Sequence, residues 1–252
     1  NGCPWNTQTC SGAAKGGHFE VLQWARANGC PWDRTTCSWA AKGGHLEMLQ
    51  WAHANDCPMT HETCTMAACE GHLEVLQWAR ANGCPWNTNA FQLAAGQGQL
   101  EVLQWALANG CMWDKNTENC AAAAKEGLLN VLQWMHANGC PWDKETSAAA
   151  AHSGHLDVLQ WARENGCPWT EMTCAGAAHG GHREVLQWAR ANGCPWGGTT
   201  CQYAARGGHL EVLRWAIRNG CPVNWQACMS IATQNEHPDV LVWLNEHKAR
   251  SH

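Results

Sequence analysis

Gly43-Gly44-His45-Leu46-Glu47-Met48-Leu49-Gln50-Trp51-Ala52-His53-Ala54-Asn55 decides how the chain is read, because near-copies of it return eight more times. The closing Asn of one copy opens the next. Starts fall at Asn1, Asn28, Asn55, Asn82, Asn109, Asn138, Asn165, Asn192 and Asn219, a period of 27 residues with one unit of 29. Periods of this size signal a stacked array. With positions numbered from the Asn, the usual unit reads N-G-C-P-W-D-x-x-T-C-x-x-A-A-x-G-G-H-L-E-V-L-Q-W-A-R-A. Residues 1–252 are therefore expected to form one all-α solenoid of helix-turn-helix units that shield one another's apolar sides and have no common centre. Asn1-Gly2 should close a helix lying upstream, so a fragment of a longer chain is expected. The last unit departs from the pattern at Val223 and Pro238 and runs out through Asn245, Glu246, His247, Lys248 and Arg250, a polar ending suited to water.

Within a unit, the second helix is the plainest element. Val21, Leu22, Trp24 and Ala25 fall at spacings that gather apolar atoms on one side, and Gln23 and Arg26 point outward. Glu20 complements the first turn, Gly29 suits a left-handed cap, and Pro31 prevents continuation. Asp56 stands where other units have Gly and tolerates that backbone less well. The first helix is expected to start near Thr36 as N-cap and run through Cys37, Trp39, Ala40 and Ala41 to Gly43-Gly44. Its paired alanines let neighbouring helices approach closely. About two turns are marginal alone, so stacking must supply the stability.

The string from Ala67 to Gly83, A-A-x-x-G-H-L-E-V-x-x-x-x-x-x-x-G, resembles the ankyrin repeat, and Asn-Gly-Cys-Pro-Trp-Asp is similar to that family's x-G-A-D-V-N. Family units have 33 residues. The six missing here fall where ankyrin repeats carry their β-hairpin finger, so almost no strand is expected. The resemblance implies a partner-binding surface on the first helices. Position 15 would look toward a concave groove, and the His at position 18 would tie the loop between helices to backbone groups.

Seventeen cysteines invite a chemical reading. Position 3 is Cys in all nine units and position 10 in seven, giving C-x6-C pairs such as Cys30/Cys37. That spacing does not match the paired motifs of zinc sites. Phe91 and Ser147 replace position 10 in two units. Packing as small hydrophobes is the favoured reading, with intra-repeat disulfides and metal binding as alternatives. Cysteines at one position of successive repeats would lie roughly 10 Å apart, too far to bond. Position 18 reads His18, His45, His72, Gln99, Leu128, His155, His182, His209 and, shifted by one, His237. A column with one ring per repeat cannot gather about a single metal. Two tryptophan columns, at positions 5 and 24, are expected in the core, with an exposed aromatic strip as the alternative.

Position 12 runs from Gly12 through Trp39, Met66, Leu93, Ala122, Ala149, Gly176 and Tyr203 to Ser230, and position 15 from Lys15 through Lys42, Cys69, Gly96, Lys125, His152, His179 and Arg206 to Thr233. A scaffold keeps its packing residues and varies its contact face, so Trp39, Lys42, Met66, Leu93, Lys125, His152, His179, Tyr203 and Arg206 are the partner-binding candidates. An ordinary solvated face is the competing reading of the charged positions. A bulge around the insertion at Asn116–Asn119 is a further contact candidate.

A net charge of −5 gives no field to hold nucleic acid or an anionic membrane. No apolar run approaches the roughly 20 residues needed to span a bilayer, and no signal-like segment opens the chain. The expectation is a soluble, cytoplasmic, non-catalytic scaffold without cofactor or metal that binds a protein partner along the first-helix face. Nine similar arrangements do not make one active site. An architectural rod in a larger assembly is the first alternative, and a cysteine-based redox or metal-binding protein the second.

Overall fold

The computed structural model describes residues 5–111 and 118–248. Among these residues there are 18 helices and no strand, the all-α repeat solenoid expected. The chain divides into two compact units, Asn1–Asp114 and Lys115–His252. The division falls in the copy that carries the two-residue insertion. Of the stretch Asn116–Asn119 around that insertion, only Glu118 and Asn119 are described. Asn116, like Cys3, Trp113 and Arg250, lies outside the described residues.

Unit 1 holds four helix pairs: α1 (Thr7–Lys15) with α2 (Phe19–Ala27), α3 (Arg34–Lys42) with α4 (Leu46–Ala54), α5 (His61–Glu70) with α6 (Leu73–Ala81), and α7 (Thr88–Gly96) with α8 (Leu100–Ala108). Unit 2 holds five: α9 (Glu118–Lys125) with α10 (Leu129–Ala137), α11 (Lys144–Ser153) with α12 (Leu156–Glu164), α13 (Glu171–His179) with α14 (Arg183–Ala191), α15 (Gly198–Arg206) with α16 (Leu210–Arg218), and α17 (Trp225–Gln234) with α18 (Pro238–Lys248). In each unit the first helices of successive pairs make the closest stack, α1 on α3 on α5 on α7 and α9 on α11 on α13 on α15 on α17. The paired alanines make that approach possible. Ala40, Ala41, Ala67, Ala68, Ala177 and Ala178 are wholly buried. Second helices contribute Leu22, Leu49, Leu76, Leu159 and Leu186, also wholly buried. A fully buried Leu is worth about 1.5–3 kcal/mol over an exposed one, and each repeat supplies at least one.

Turn chemistry explains the fixed letters of the repeat. The Asn at position 1 donates its side-chain amide to the carbonyl of the position-24 Trp, as Asn28 does to Trp24 and Asn192 to Trp188, at 2.8–2.9 Å. The same carbonyl also accepts that Asn's backbone N–H, as Trp24 O does from Asn28 N at 3.1 Å, so the amide adds a second bond at a helix end where ladder partners run out. The residue after it is left-handed, with φ +79° at Gly29 and 66° at Asp56, the one non-glycine in that column.

Two expectations are corrected. The first helix starts earlier than Thr36, because position 6 supplies the cap: Asp33 accepts from Thr35 N at 2.9 Å, and Asn87 accepts from Ala90 N at 3.1 Å. Thr36 lies inside α3, wholly buried, its hydroxyl without a hydrogen-bond partner among the described residues. The tryptophan columns are not core either. Of the described position-5 and position-24 tryptophans only Trp243 is buried, and Trp24 is 60% exposed. Pairs of these rings meet edge to face, Trp32 with Trp51 at 5.6 Å and Trp196 with Trp215 at 5.7 Å, while Arg26, Arg163 and Arg190 lie over the position-5 rings at 4.3–4.4 Å. Amphipathic rings with one dry face and a cation on the wet one account for this.

Candidate functional site

The residue types singled out by sequence fall into three structural classes, of which the histidine column is the most orderly. The position-18 ring reaches back one repeat and hydrogen-bonds the carbonyl of position 15: His72 Nε2 to Lys42 O at 3.0 Å, His155 to Lys125 O at 3.0 Å, His237 to Arg206 O at 2.9 Å. A carbonyl only accepts, so Nε2 carries the proton. Gln99 does the same with its amide, donating to Cys69 O at 3.3 Å, which explains why Gln substitutes for His there. Leu128 has no donor to offer.

Close packing around this ring accounts for Gly-Gly. A Cβ on Gly44 would stand 2.7 Å from the His72 ring at a φ of +73°, and one on Gly181 would stand 2.6 Å from His209 at +78°. On Gly180 it would meet the carbonyl oxygen of His152 at 2.0 Å. Loop and ring therefore form a latch at the junctions that keep the His.

The cysteines contact one another across repeats, in a register that spacing within one copy does not show. Position 10 of one unit meets position 3 of the next: Cys37 Sγ lies 3.6 Å from Cys57 O, and Cys64 Sγ 3.9 Å from Cys84 O. The position-3 thiols donate to the position-6 carbonyl of the preceding unit, Cys84 to Thr60 O at 3.1 Å and Cys194 to Thr170 O at 3.4 Å. All described cysteines are free thiols. Burial, with the Cys30 thiol beside it, pushes Cys10 up to about 12, and burial is also the main cause raising Cys167 to about 12 and Cys228 to about 11. The position-3 thiols Cys57, Cys84, Cys194 and Cys221 are instead lowered, first by the hydrogen bond with the position-10 thiol of the preceding unit, whereas the raised thiols, held protonated, are poor nucleophiles and poor metal ligands. They pack as small hydrophobes.

The third class is the first-helix face, where the nine candidates lie. In unit 1, Trp39 is half-buried, with Lys15 Nζ at 4.7 Å and Lys42 Nζ at 5.4 Å over its ring, and Lys42 also pairs with Glu70 at 3.4 Å. Met66 is half-buried and Leu93 is 42% exposed, on the two following first helices. In unit 2, His152 and His179 come together, Nδ1 to Nδ1 3.3 Å with rings stacked at 4.9 Å, and Tyr203 meets His179 edge-on at 5.6 Å. Arg206 is exposed and acts electrostatically on His179. Lys125 is exposed and lies 3.8 Å from Glu126. Among the described residues no group of three or more His, Cys, Asp or Glu side chains is placed to hold a metal ion, and no helix is long and apolar enough to cross a membrane.

A stack of short helix pairs joined by Gly-His latches has a known counterpart. Residues 12–55 match the family model for ankyrin repeats (many copies). The match covers that stretch, and the described residues share the fold of ankyrin-repeat arrays. It is similar in fold to the crystal structure of the human ASB11 ankyrin repeat domain, with a TM-score of 0.52 and 17% identity over 63% of this chain and 84% of that one. No curated protein matches the chain. Ankyrin repeats are generally protein–protein interaction modules. In this array the repeat is 27 residues long and lacks the strand-forming finger throughout the described residues.

Proposed function

We propose that this ankyrin-repeat array is a non-catalytic scaffold that binds a protein segment along the first-helix face, with Trp39, Lys42, Met66 and Leu93 contacting it in unit 1 and Lys125, His152, His179, Tyr203 and Arg206 in unit 2. One observation carries the reading. The latch grips the position-15 residue by its backbone carbonyl, so that residue's side chain is released from structural duty. Position 12, one turn back on the same helix, varies from Gly12 to Trp39 and Tyr203. A column that changes chemistry above an invariant frame suits recognition, where binding energy concentrates in a few aromatic and Arg side chains.

Selection of peptides from a random displayed library against the full chain, followed by affinity measurement on variants, tests it. Trp39→Ala with Leu93→Ala, or Lys125→Gln with Arg206→Gln, should weaken the selected ligands by about tenfold or more. The exposed second-helix changes Gln77→Ala and Gln104→Ala should leave them unchanged. Ligands indifferent to both first-helix pairs would remove the proposal.

A further inference from the structure

We infer that the first-helix face of unit 2 takes an acidic, extended segment of the partner protein, with a carboxylate at about every third residue. This rests on the reading above and specifies the occupant. The chain is acidic overall, yet position 15 in unit 2 presents Lys125, His152, His179 and Arg206 on four successive first helices. Among the described residues the one carboxylate within ion-pair distance of this column is Glu126, beside Lys125. Arg206 has no carboxylate within that distance among them. Glu145 and Glu171 belong to the first turns of α11 and α13, at the opposite ends of those helices. Beyond Glu126, this line of two cations and two imidazoles is left without local anions among the described residues.

Spacing sets the partner's register. Helices packed through small side chains repeat at about 8–10 Å, and three residues of extended chain span about 10 Å. One acidic side chain in three therefore meets one repeat after another. His152 and His179 lean together and act as a single central station between Lys125 and Arg206. Tyr203, edge-on to His179, adds an apolar wall for the intervening residues. The groups around this station are Lys125, Arg206, His209, His155 and His182. The His155 ring is engaged with the Lys125 carbonyl and the His182 ring with the backbone of His152. His179 is held below the usual imidazole value, first by burial and then by the neighbouring His152, Arg206 and His209. An arriving carboxylate offsets those neighbours and favours the imidazolium. Binding should therefore take up a proton and tighten as pH falls from about 7.5 to about 6.

The test uses the full chain and a fluorescein-labelled synthetic peptide with Glu at every third position and Gly/Ser between. Its control has the same composition with the Glu residues contiguous. Anisotropy titrations should show the spaced peptide binding at least about fivefold more tightly than the contiguous one, and weakening by about tenfold in the Lys125→Gln/Arg206→Gln variant. The gain at lower pH should disappear in His152→Gln/His179→Gln. Circular dichroism and thermal midpoints establish that these surface variants remain folded. Equal affinity for both peptides, no measurable binding, or indifference to the double substitution would overturn the inference. Library ligands that depend on the first-helix face but carry no acidic residues would overturn it while leaving the broader function standing. Ligands indifferent to that face remove both.

Discussion

The two units use one frame to present opposite surfaces. On the first-helix face of unit 1 the cations are occupied locally: Lys15 and Lys42 rest over Trp39, and Lys42 pairs with Glu70. Met66 and Leu93 continue that face in apolar chemistry. On unit 2 Lys125 lies beside Glu126, but the following positions carry imidazoles, a phenol and an exposed guanidinium, and His152, His179 and Tyr203 contact one another. Below both surfaces the latch is identical, His72 on Lys42 O in one unit and His155 on Lys125 O in the other, each at 3.0 Å. Surface chemistry and frame are separable in this molecule.

The comparison breaks first if the frames are unequal. Gly44→Ala in unit 1 and Gly181→Ala in unit 2 each force a side chain into the next latch ring at a left-handed φ, and each should cost about 2–3 kcal/mol in denaturant unfolding. A much smaller loss at Gly181 would show that unit 2 tolerates a looser junction. A lesser loss follows from removing a ring. His72→Ala and His155→Ala should each destabilise by about 1–2 kcal/mol, because a carbonyl loses its donor. His72→Gln should recover most of it, as Gln99 already fills that role.

The smallest effect separates the two faces themselves. Lys42→Gln removes an exposed ion pair and should change stability by no more than about 0.5 kcal/mol. The counterpart in unit 2 is read by pH. Because His179 titrates below the usual imidazole value, its protonation disfavours the folded state. Its contribution is complete above the unfolded value of about 6.5 and declines as pH falls from there through the folded value. Its imidazole resonances in an NMR titration should show a lower midpoint than those of unfolded chain, and His152→Gln should move that midpoint upward.

Most of the frame was legible in sequence because it repeats. Asn-Gly, the alanine pair and Gly-Gly-His each answer a local backbone demand, the first two restated in eight of the nine copies and the third in four. Three things were not legible. The cap at position 6 was hidden because Asn6, Asp33, Thr60, Asn87 and Gly197 differ, although all belong to the residue types favoured at helix N-caps. The thiol contacts join Cys37 to Cys57 and not to Cys30, and spacing within one copy carries no information about what lies across a junction. The tryptophans sit half out of water because the dry volume between thin repeats is already filled by Cys, Ala and Leu. In the candidate surface, the positions were readable from their variability. The meeting of His152 with His179 was not, since their columns put them 27 residues apart and only stacking brings them together.

A latch that reads only main chain has a consequence for change over generations. Lys42, Cys69, Lys125 and Arg206 are gripped in the same manner whatever they carry beyond Cβ. Such a codon can drift from cation to thiol without loosening its joint, so new specificities can be explored one rung at a time on a ladder whose strength does not depend on what is tried.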